Sequence, residues 1–124
     1  MLSTCRVKCV GNLRRINLYL SIVGELLFED SFFSLISDGK KTSTIFYDDY
    51  QYTRGYYNAY DNEKKHCILL RVCTIQSTKF KELTDENAIT EGFSSLQELK
   101  DRLMRFHPDL VDESQLTIIY FKEV

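Results

Sequence analysis

The spacing of hydrophobic positions changes several times along the chain, and each spacing predicts a different kind of element. Runs rich in β-branched and aromatic residues, alternating along the run, predict strands, because successive side chains of a strand point to opposite faces. By this pattern the chain has a short first strand, three strands in its middle and one near its end. The predicted strands are ELLF (25–28), TSTIFYDDY (42–50), GYYNAY (55–60), HCILLRVCTIQ (66–76) and QLTIIYF (115–121).

Helical spacing and capping residues predict three helices. The first, DSFFSLISDG, ends at Gly39, because glycine readily adopts the left-handed conformation that closes a helix. The second runs from Thr84 to Gly92, and the third begins at Ser94 or Ser95. The third helix has an apolar stripe that we expect to pack in the core: Leu96, Leu99, Leu103 and Phe106. Because regular βαβ units are not seen, this order predicts an α+β fold, a small curved sheet or barrel with helices against it.

Length and composition are those of one globular domain. The chain has 124 residues, of which 44% are hydrophobic, and a chain of this length can bury a single core. Its net charge is -2, so we expect no binding to long duplex DNA, which requires a broad basic face. No run approaches the length of a membrane span, and we expect no membrane partner. Residues 1–24 are basic and contain no acid, and we interpret them as an N-terminal extension to a domain at 25–124.

The four cysteines do not form a CxxC pair, and neither histidine completes a zinc-like spacing. We therefore expect free thiols in a reducing cytoplasm, and neither a metal site nor a cofactor. Arg71 lies on the less apolar face of its predicted strand, where it is expected to be accessible to a ligand.

Three segments resemble an ASCH domain, a member of the PUA-like superfamily. GKKTSTIF (39–46) resembles the signature G-x-K-x-x-T-x-R that opens the domain, with Phe46 at the position of the arginine. FKELTDENAITEGFSSLQELKDRL (80–103) resembles its later helical segment, and TIIYF (117–121) resembles its closing strand. The resemblance covers roughly residues 25–124 and implies a compact PUA-like β-barrel with flanking helices.

The resemblance also implies a function. The family is associated with binding of RNA or nucleosides, in a pocket between the first motif and the Glu-Gly segment. Some small members are amidohydrolases that remove the acetyl group from N4-acetylcytidine and related N4-acylated cytosines. Their catalytic Lys, Thr and Glu match Lys41, Thr44 and Glu91 of this chain. The expected activity is therefore that of an amidohydrolase acting on a linear amide.

The chemistry of these residue types fits that activity. A threonine hydroxyl is a poor nucleophile until a base removes its proton. A lysine can act as that base if burial lowers its pKa, and a carboxylate can carry the proton to the leaving amine. Further residues near the motif are predicted to contact the ligand, together with the exposed arginine of the later strand: Gly39, Lys40, Thr42, Phe46 and Arg71.

Two other functions remain open at this level. A non-catalytic ASCH module that binds RNA or a nucleotide would carry the same Lys, Thr and Glu. A ribonuclease ranks last, because the sequence does not offer an evident pair of histidines to act as acid and base. In each case the expected partner is a nucleoside or a single-stranded RNA, and the sequence does not predict an oligomeric state.

Overall fold

The structure is a computed structural model that describes residues 22–124, and the structural statements below concern that part of the chain. It contains five strands and three α-helices, which confirms the predicted α+β class. The elements are β1 (Ile22–Leu27), α1 (Asp30–Ser37), β2 (Ser43–Phe46), β3 (Gly55–Tyr60), β4 (Cys67–Lys79), α2 (Asp85–Glu91), α3 (Leu96–Phe106) and β5 (Gln115–Glu123). A short 3-10 helix, Phe80–Glu82, follows β4 and has no counterpart among the sequence predictions.

The five strands form one mixed sheet in the order β1-β3-β4-β5-β2. β1 and β3 are parallel, whereas the other neighbouring strands are antiparallel. β4 and β5 pair over a long stretch, from Leu70 opposite Glu123 to Lys79 opposite Gln115. Within residues 22–124 the edge strands β1 and β2 do not pair with each other, so the barrel-like sheet is open. The site described below is built on β2, at one of these edges.

Two hydrophobic clusters pack on opposite faces of the sheet. Ile118 and Ile119 are consecutive in β5, so their side chains point to opposite faces, and each belongs to a different cluster. The cluster around Ile119 includes Ile36 of α1. The cluster around Ile118 includes Ala88 of α2 and Leu99 of α3. The helices therefore cover both faces of the sheet near β5, and β2 lies beside β5 between them.

The predicted helix ends agree with the structure. Gly39 and Gly92 follow α1 and α2 with φ values of 77° and 91°, in the left-handed region. The hydroxyl of Ser95 caps α3 and accepts a backbone N–H of its first turn at 3.1 Å. The apolar stripe of α3 lies only partly in the core. Leu99 is buried, whereas Phe106 in the last turn is 56% exposed.

The predicted extension, residues 1–24, lies outside the described part of the chain except for its last three residues, which begin β1 at Ile22. Among the described cysteines, Cys73 is a free thiol and Cys67 is disulfide-bonded. The expectation of free thiols is therefore wrong for Cys67, because sequence spacing reveals local cysteine motifs but not cysteines that the fold brings together. The cytoplasmic location stays a prediction. No helix in the described part is long and apolar enough to cross a membrane.

Candidate functional site

The segment between α1 and β2 is fixed by backbone hydrogen bonds to three elements. The Lys41 N–H donates to the Leu35 carbonyl of α1 at 3.1 Å. The Thr42 N–H donates to the Thr90 carbonyl of α2 at 2.8 Å, and the Thr42 carbonyl accepts the Phe121 N–H of β5 at 3.0 Å. Lys41 is therefore placed at the meeting point of α1, α2 and the sheet.

Lys41 and Glu91 form a buried pair. Lys41 Nζ donates to Glu91 Oε1 at 3.2 Å and to the Glu91 backbone carbonyl at 3.0 Å. The two side chains are 2% and 5% exposed, and Lys41 Nζ lies 4.7 Å from the centre of the Phe32 ring. Gly92 lies beside the pair: a Cβ there would lie tightly against Leu35 Cδ1, at 3.1 Å, and in ordinary contact with Lys41 Cβ, at 3.5 Å.

Ser43, the first residue of β2, completes the surroundings of the carboxylate. Its hydroxyl contacts Glu91 Oε2 and lies 2.8 Å from Thr90 Oγ1, and the residue is fully buried. Sequence analysis did not identify Ser43 as a site residue. Strand alternation placed it on the face opposite Thr44, but that pattern does not reveal which side chain from α2 lies against the face.

Burial moves the pKa of each partner toward its uncharged form. Desolvation lowers the pKa of the Lys41 ammonium group, and attraction to Glu91 opposes that shift without cancelling it. Desolvation also raises the pKa of the Glu91 carboxyl, although Lys41 and hydrogen bonds from neighbouring groups stabilise its ionised form. The charge of Arg102 lowers the pKa of Lys41 a little further. A neutral amine, which a general base requires, is therefore more accessible here than on the protein surface.

The three predicted catalytic residues line one cavity of about 130 Å³. Its wall is mostly apolar and aromatic, and the buried pair contributes the main charged groups. Thr44 is half-buried there, and among the described residues its hydroxyl has no hydrogen-bond partner. The lining consists of Phe32, Lys41, Thr44, Ile45, Glu91, Phe93, Leu99, Arg102, Leu103, Phe106 and His107.

Arg102 of α3 is a second residue at the cavity that sequence analysis missed. Its guanidinium carbon lies 5.1 Å from the ring centre of Phe32 and 5.6 Å from that of Phe93. Arg102 Nη1 donates to Glu29 Oε2 at 2.8 Å, which fixes the side chain at the cavity wall. α3 was interpreted only as a packing helix, and Arg102 is three positions after Leu99, next to the buried stripe. Its position beside the buried stripe was the signal in the sequence that could have identified Arg102 as a residue near the site.

The residues predicted to contact the ligand are not brought together at this cavity. Gly39, Lys40 and Thr42 are exposed and do not line it. Phe46 lines a different cavity of about 430 Å³, where its ring stacks on Tyr52 at 4.3 Å. Arg71 is exposed on β4, in register with Tyr56 and Lys122, away from the described site. Ligand contact by these residues stays a prediction.

Metal binding has no evident site in the part of the chain that the structure describes. There, side chains of His, Cys, Asp and Glu do not form a group of three or more that could hold a metal ion. The cavity itself offers the hydroxyl of Thr44, an amine of lowered pKa at Lys41 and a carboxyl of raised pKa at Glu91, with Arg102 and His107 also in its wall.

The α+β architecture with an open, barrel-like sheet agrees with the PUA-like fold that the resemblance implies. The chain belongs to the ASCH domain family, whose sequence model matches residues 22–124. The family resemblance identified from the three segments and the PUA-like fold are thus confirmed.

Solved structures agree with this fold at low sequence identity. A protein from Enterococcus faecalis V583 matches with a TM-score of 0.85 and 16% identity, over 100% of this chain and 90% of that chain. An ASCH domain from Lactobacillus crispatus JV V101 matches with a TM-score of 0.78 and 12% identity, over 98% and 92%. A mutant ASCH protein from Zymomonas mobilis matches with a TM-score of 0.60 and 17% identity, over 80% and 68%. No curated protein matches the chain.

Proposed function

We propose that this ASCH domain removes the acyl group from N4-acetylcytidine or a related N4-acylated cytosine nucleoside. The observation that carries the proposal is that Lys41, Thr44 and Glu91, which match the catalytic residues of the family's amidohydrolases, line one cavity. Two of the three form a pair buried from solvent. Thr44 has a hydroxyl without a partner among the described residues, as a nucleophile awaiting substrate should have.

The proposed reaction proceeds through an acyl-enzyme. Neutral Lys41 takes the proton of the Thr44 hydroxyl as its oxygen attacks the amide carbonyl carbon. The C–N bond then breaks, and Glu91 passes a proton to the departing N4 nitrogen, so that cytidine leaves with its amino group. Lys41 then passes its proton to Glu91 across their hydrogen bond and is neutral again. It takes a proton from water as the water oxygen attacks the acyl-threonine ester, and Thr44 recovers a proton from the acid formed. The product leaves as a carboxylate, and the released proton stays on Lys41.

The size of the cavity supports a substrate that inserts only part of itself. A cavity of about 150 Å³ holds one benzene ring, so a space of about 130 Å³ accepts little more than a single pyrimidine ring. We therefore expect the acylated edge of the base to enter and the ribose to stay outside. Selectivity should then depend on the base and its acyl group more than on the sugar.

A non-catalytic RNA-binding module is the second candidate, and aromatic residues near β2 favour it. Phe46 and Tyr52 stack at 4.3 Å, and Tyr50, which is 59% exposed, contacts Tyr52 edge-on at 4.6 Å. Exposed aromatic rings can stack on the bases of single-stranded RNA. The ribonuclease alternative stays last, because His66 lies at the β3–β4 turn whereas His107 lines the cavity.

Incubation of the protein with N4-acetylcytidine, followed by chromatography for cytidine, tests the proposal. We expect cytidine and acetate in equal amounts. An N-acetylated amine without a pyrimidine ring serves as the control substrate and should not react. Binding of N4-acetylcytidine without release of cytidine would reject the amidohydrolase and leave the binding module.

A further inference from the structure

A row of oxygen atoms leads from the buried Glu91 toward the protein surface, and the reaction above gives it no role. Ser43 Oγ contacts Glu91 Oε2, and it lies 2.8 Å from Thr90 Oγ1. Thr90 Oγ1 in turn lies 3.1 Å from the Asn87 carbonyl oxygen. Ser43 is fully buried, whereas Thr90 is half-buried, so the row runs from the interior toward solvent.

The number of protons in this row depends on the state of Glu91. Each of the three oxygen–oxygen contacts is a hydrogen bond only if a proton lies between its two atoms. Three protons are therefore needed, but the hydroxyls of Ser43 and Thr90 supply only two. The Asn87 carbonyl can only accept, so Thr90 must donate to it and Ser43 must donate to Thr90. The contact between Ser43 and Glu91 is then a hydrogen bond only if the carboxyl carries the third proton.

The row can also run in the opposite direction. When Glu91 is ionised, Ser43 donates to its Oε2 and Thr90 rotates its hydroxyl to donate to Ser43. Reversal of two hydroxyl groups therefore connects the two protonation states of the carboxyl, and neither state leaves a buried hydroxyl without an acceptor.

We propose that Ser43 and Thr90 form a hydroxyl relay through which Glu91 exchanges a proton with solvent. The use of the relay rests on the proposed function. Hydrolysis of an acyl amide to a carboxylate and a neutral arylamine releases one proton, which must leave a site whose acid and base are both buried. Ser43 and Thr90 act through Glu91 and do not touch the substrate.

The charged and titratable groups around Glu91 are consistent with this route. Lys41 donates to Oε1, the Ile45 backbone also hydrogen-bonds to the carboxyl, and Oε2 is the oxygen in contact with Ser43 and hence with the relay. Arg102 of α3 and His107, which directly follows α3, reach the cavity, and Tyr120 of β5 has a pKa raised by burial and by the Glu91 charge. None of these three described side chains lies within the row of oxygen atoms.

The test is a titration of the Glu91 carboxyl by nuclear magnetic resonance, in protein with isotope-labelled glutamate and without substrate. The loss of one signal in Glu91→Gln assigns the resonance. In Thr90→Val the Ser43 hydroxyl has only the carboxylate left to accept it, which favours the ionised form. We expect the titration midpoint to fall by roughly one pH unit, about the value of one neutral hydrogen bond.

Thr90→Ser keeps the hydroxyl and should retain the wild-type midpoint. An equal midpoint in Thr90→Val and Thr90→Ser, whether shifted or not, would overturn the relay. If Thr90→Val does not fold, Ser43→Ala provides the measurement. It removes a donor to the carboxylate and should raise the midpoint, and an unchanged midpoint would again overturn the relay.

The titration separates this inference from the proposed function. A relay-dependent midpoint in a protein that does not release cytidine from N4-acetylcytidine would support the relay and reject the reaction. Release of cytidine with a midpoint that is insensitive to residue 90 would support the reaction and reject the relay. Where both hold, Thr90→Val should lower kcat and shift its pH profile while KM stays close to the wild-type value.

Discussion

Glu91 and Asp61 are both buried carboxylic acids with a basic partner, but they lie in different surroundings. Their residues are 4% and 5% exposed. Glu91 pairs with Lys41 in the cavity wall, whereas Asp61 pairs with His66 Nδ1 at 2.7 Å, at the turn between β3 and β4. Nevertheless the pKa of Glu91 is raised and the pKa of Asp61 is lowered. Burial of an acid therefore does not by itself define what the acid does.

The hydrogen-bond donors explain the difference. Burial raises the pKa of Asp61 as well, but hydrogen bonds from the His66 side chain and from two backbone N–H groups outweigh it. The backbone donors are those of Lys65 at 2.7 Å and His66 at 3.2 Å, and their dipoles are present at every pH. Glu91 receives one backbone hydrogen bond, from Ile45, and its side-chain donors are the Ser43 hydroxyl and the Lys41 ammonium group, which is itself buried and can lose its proton. Asp61 thus stabilises a turn, whereas Glu91 can exchange a proton.

Removal of the base or the nucleophile should have the largest effect. We expect Lys41→Met and Thr44→Ala each to lower kcat/KM for N4-acetylcytidine by at least roughly a thousandfold, because groups that act as a unit fail together. Lys122→Met and Thr74→Ala, at exposed positions of β5 and β4, are the matched controls and should retain activity. A loss below about tenfold in folded Lys41→Met would remove the base from the mechanism.

The next largest expected effect is a difference in kcat between variants of the two acids. Glu91→Gln keeps the shape of the side chain but cannot carry a proton, so kcat should fall by roughly a hundredfold or more. Asp61→Asn changes the turn and should leave kcat close to the wild-type value. Initial rates at saturating substrate measure both. Equal losses in the two variants would show that the comparison between a functional and a structural acid is mistaken.

Asp61→Asn should lower the stability of the protein even though it leaves kcat close to the wild-type value. Asp61→Asn weakens two hydrogen bonds to backbone donors, and we expect the free energy of unfolding to fall by roughly 1–2 kcal/mol. Urea denaturation followed by circular dichroism gives this value. Asp48→Asn, at an exposed loop position with a comparable side-chain contact to a backbone N–H, is the control and should cost less. A larger loss of unfolding free energy in Asp48→Asn than in Asp61→Asn would contradict the structural role of Asp61.

The smallest expected effect is in the pH dependence of stability. Above the ordinary glutamate pKa of 4.5 and up to the raised pKa of Glu91, the folded protein binds more protons than the unfolded chain. The contribution of Glu91 to stability therefore falls as pH rises through this window, and Glu91→Gln should show a shallower fall. The contribution of Asp61 is present above its ordinary pKa of 3.8 and is lost as pH falls through its lowered pKa. Urea midpoints of the wild type, Glu91→Gln and Asp61→Asn, measured across acidic and neutral pH, check this expectation. Parallel curves of midpoint against pH for the three proteins would contradict it.

Lys41, Thr44 and Glu91 could be predicted because GKKTSTIF and the Glu-Gly segment resemble the motifs of the family, and each of these motifs contains a glycine that ends a helix. Gly39 and Gly92 end helices, and Lys41 and Glu91 lie within two positions of them. Ser43 was not predictable in the same way, since its partner Glu91 is 48 positions away and the contact exists only once α2 packs beside β2.

The length of β2 shows a second limit of sequence patterns. The apolar and aromatic run predicts a strand over 42–50, but β2 ends at Phe46. Asp48 Oδ1 accepts the Tyr50 backbone N–H at 3.1 Å, and Asp48 Oδ2 accepts the Tyr52 hydroxyl at 2.8 Å. These local hydrogen bonds compete with the backbone hydrogen bonds of a strand, so β2 ends before Asp48. A prediction from β-propensity alone does not take them into account.

Gly92 both ends α2 and lies beside the side chain that carries the buried amine. The residue that lets the chain leave the helix also lies beside the Lys41 stem and directly against Leu35. Any other residue would have to adopt a left-handed backbone and place its Cβ 3.1 Å from Leu35 Cδ1. A designer who transplanted the Lys–Glu pair into another scaffold would therefore have to carry over this glycine as well, although it contributes no side-chain functional group.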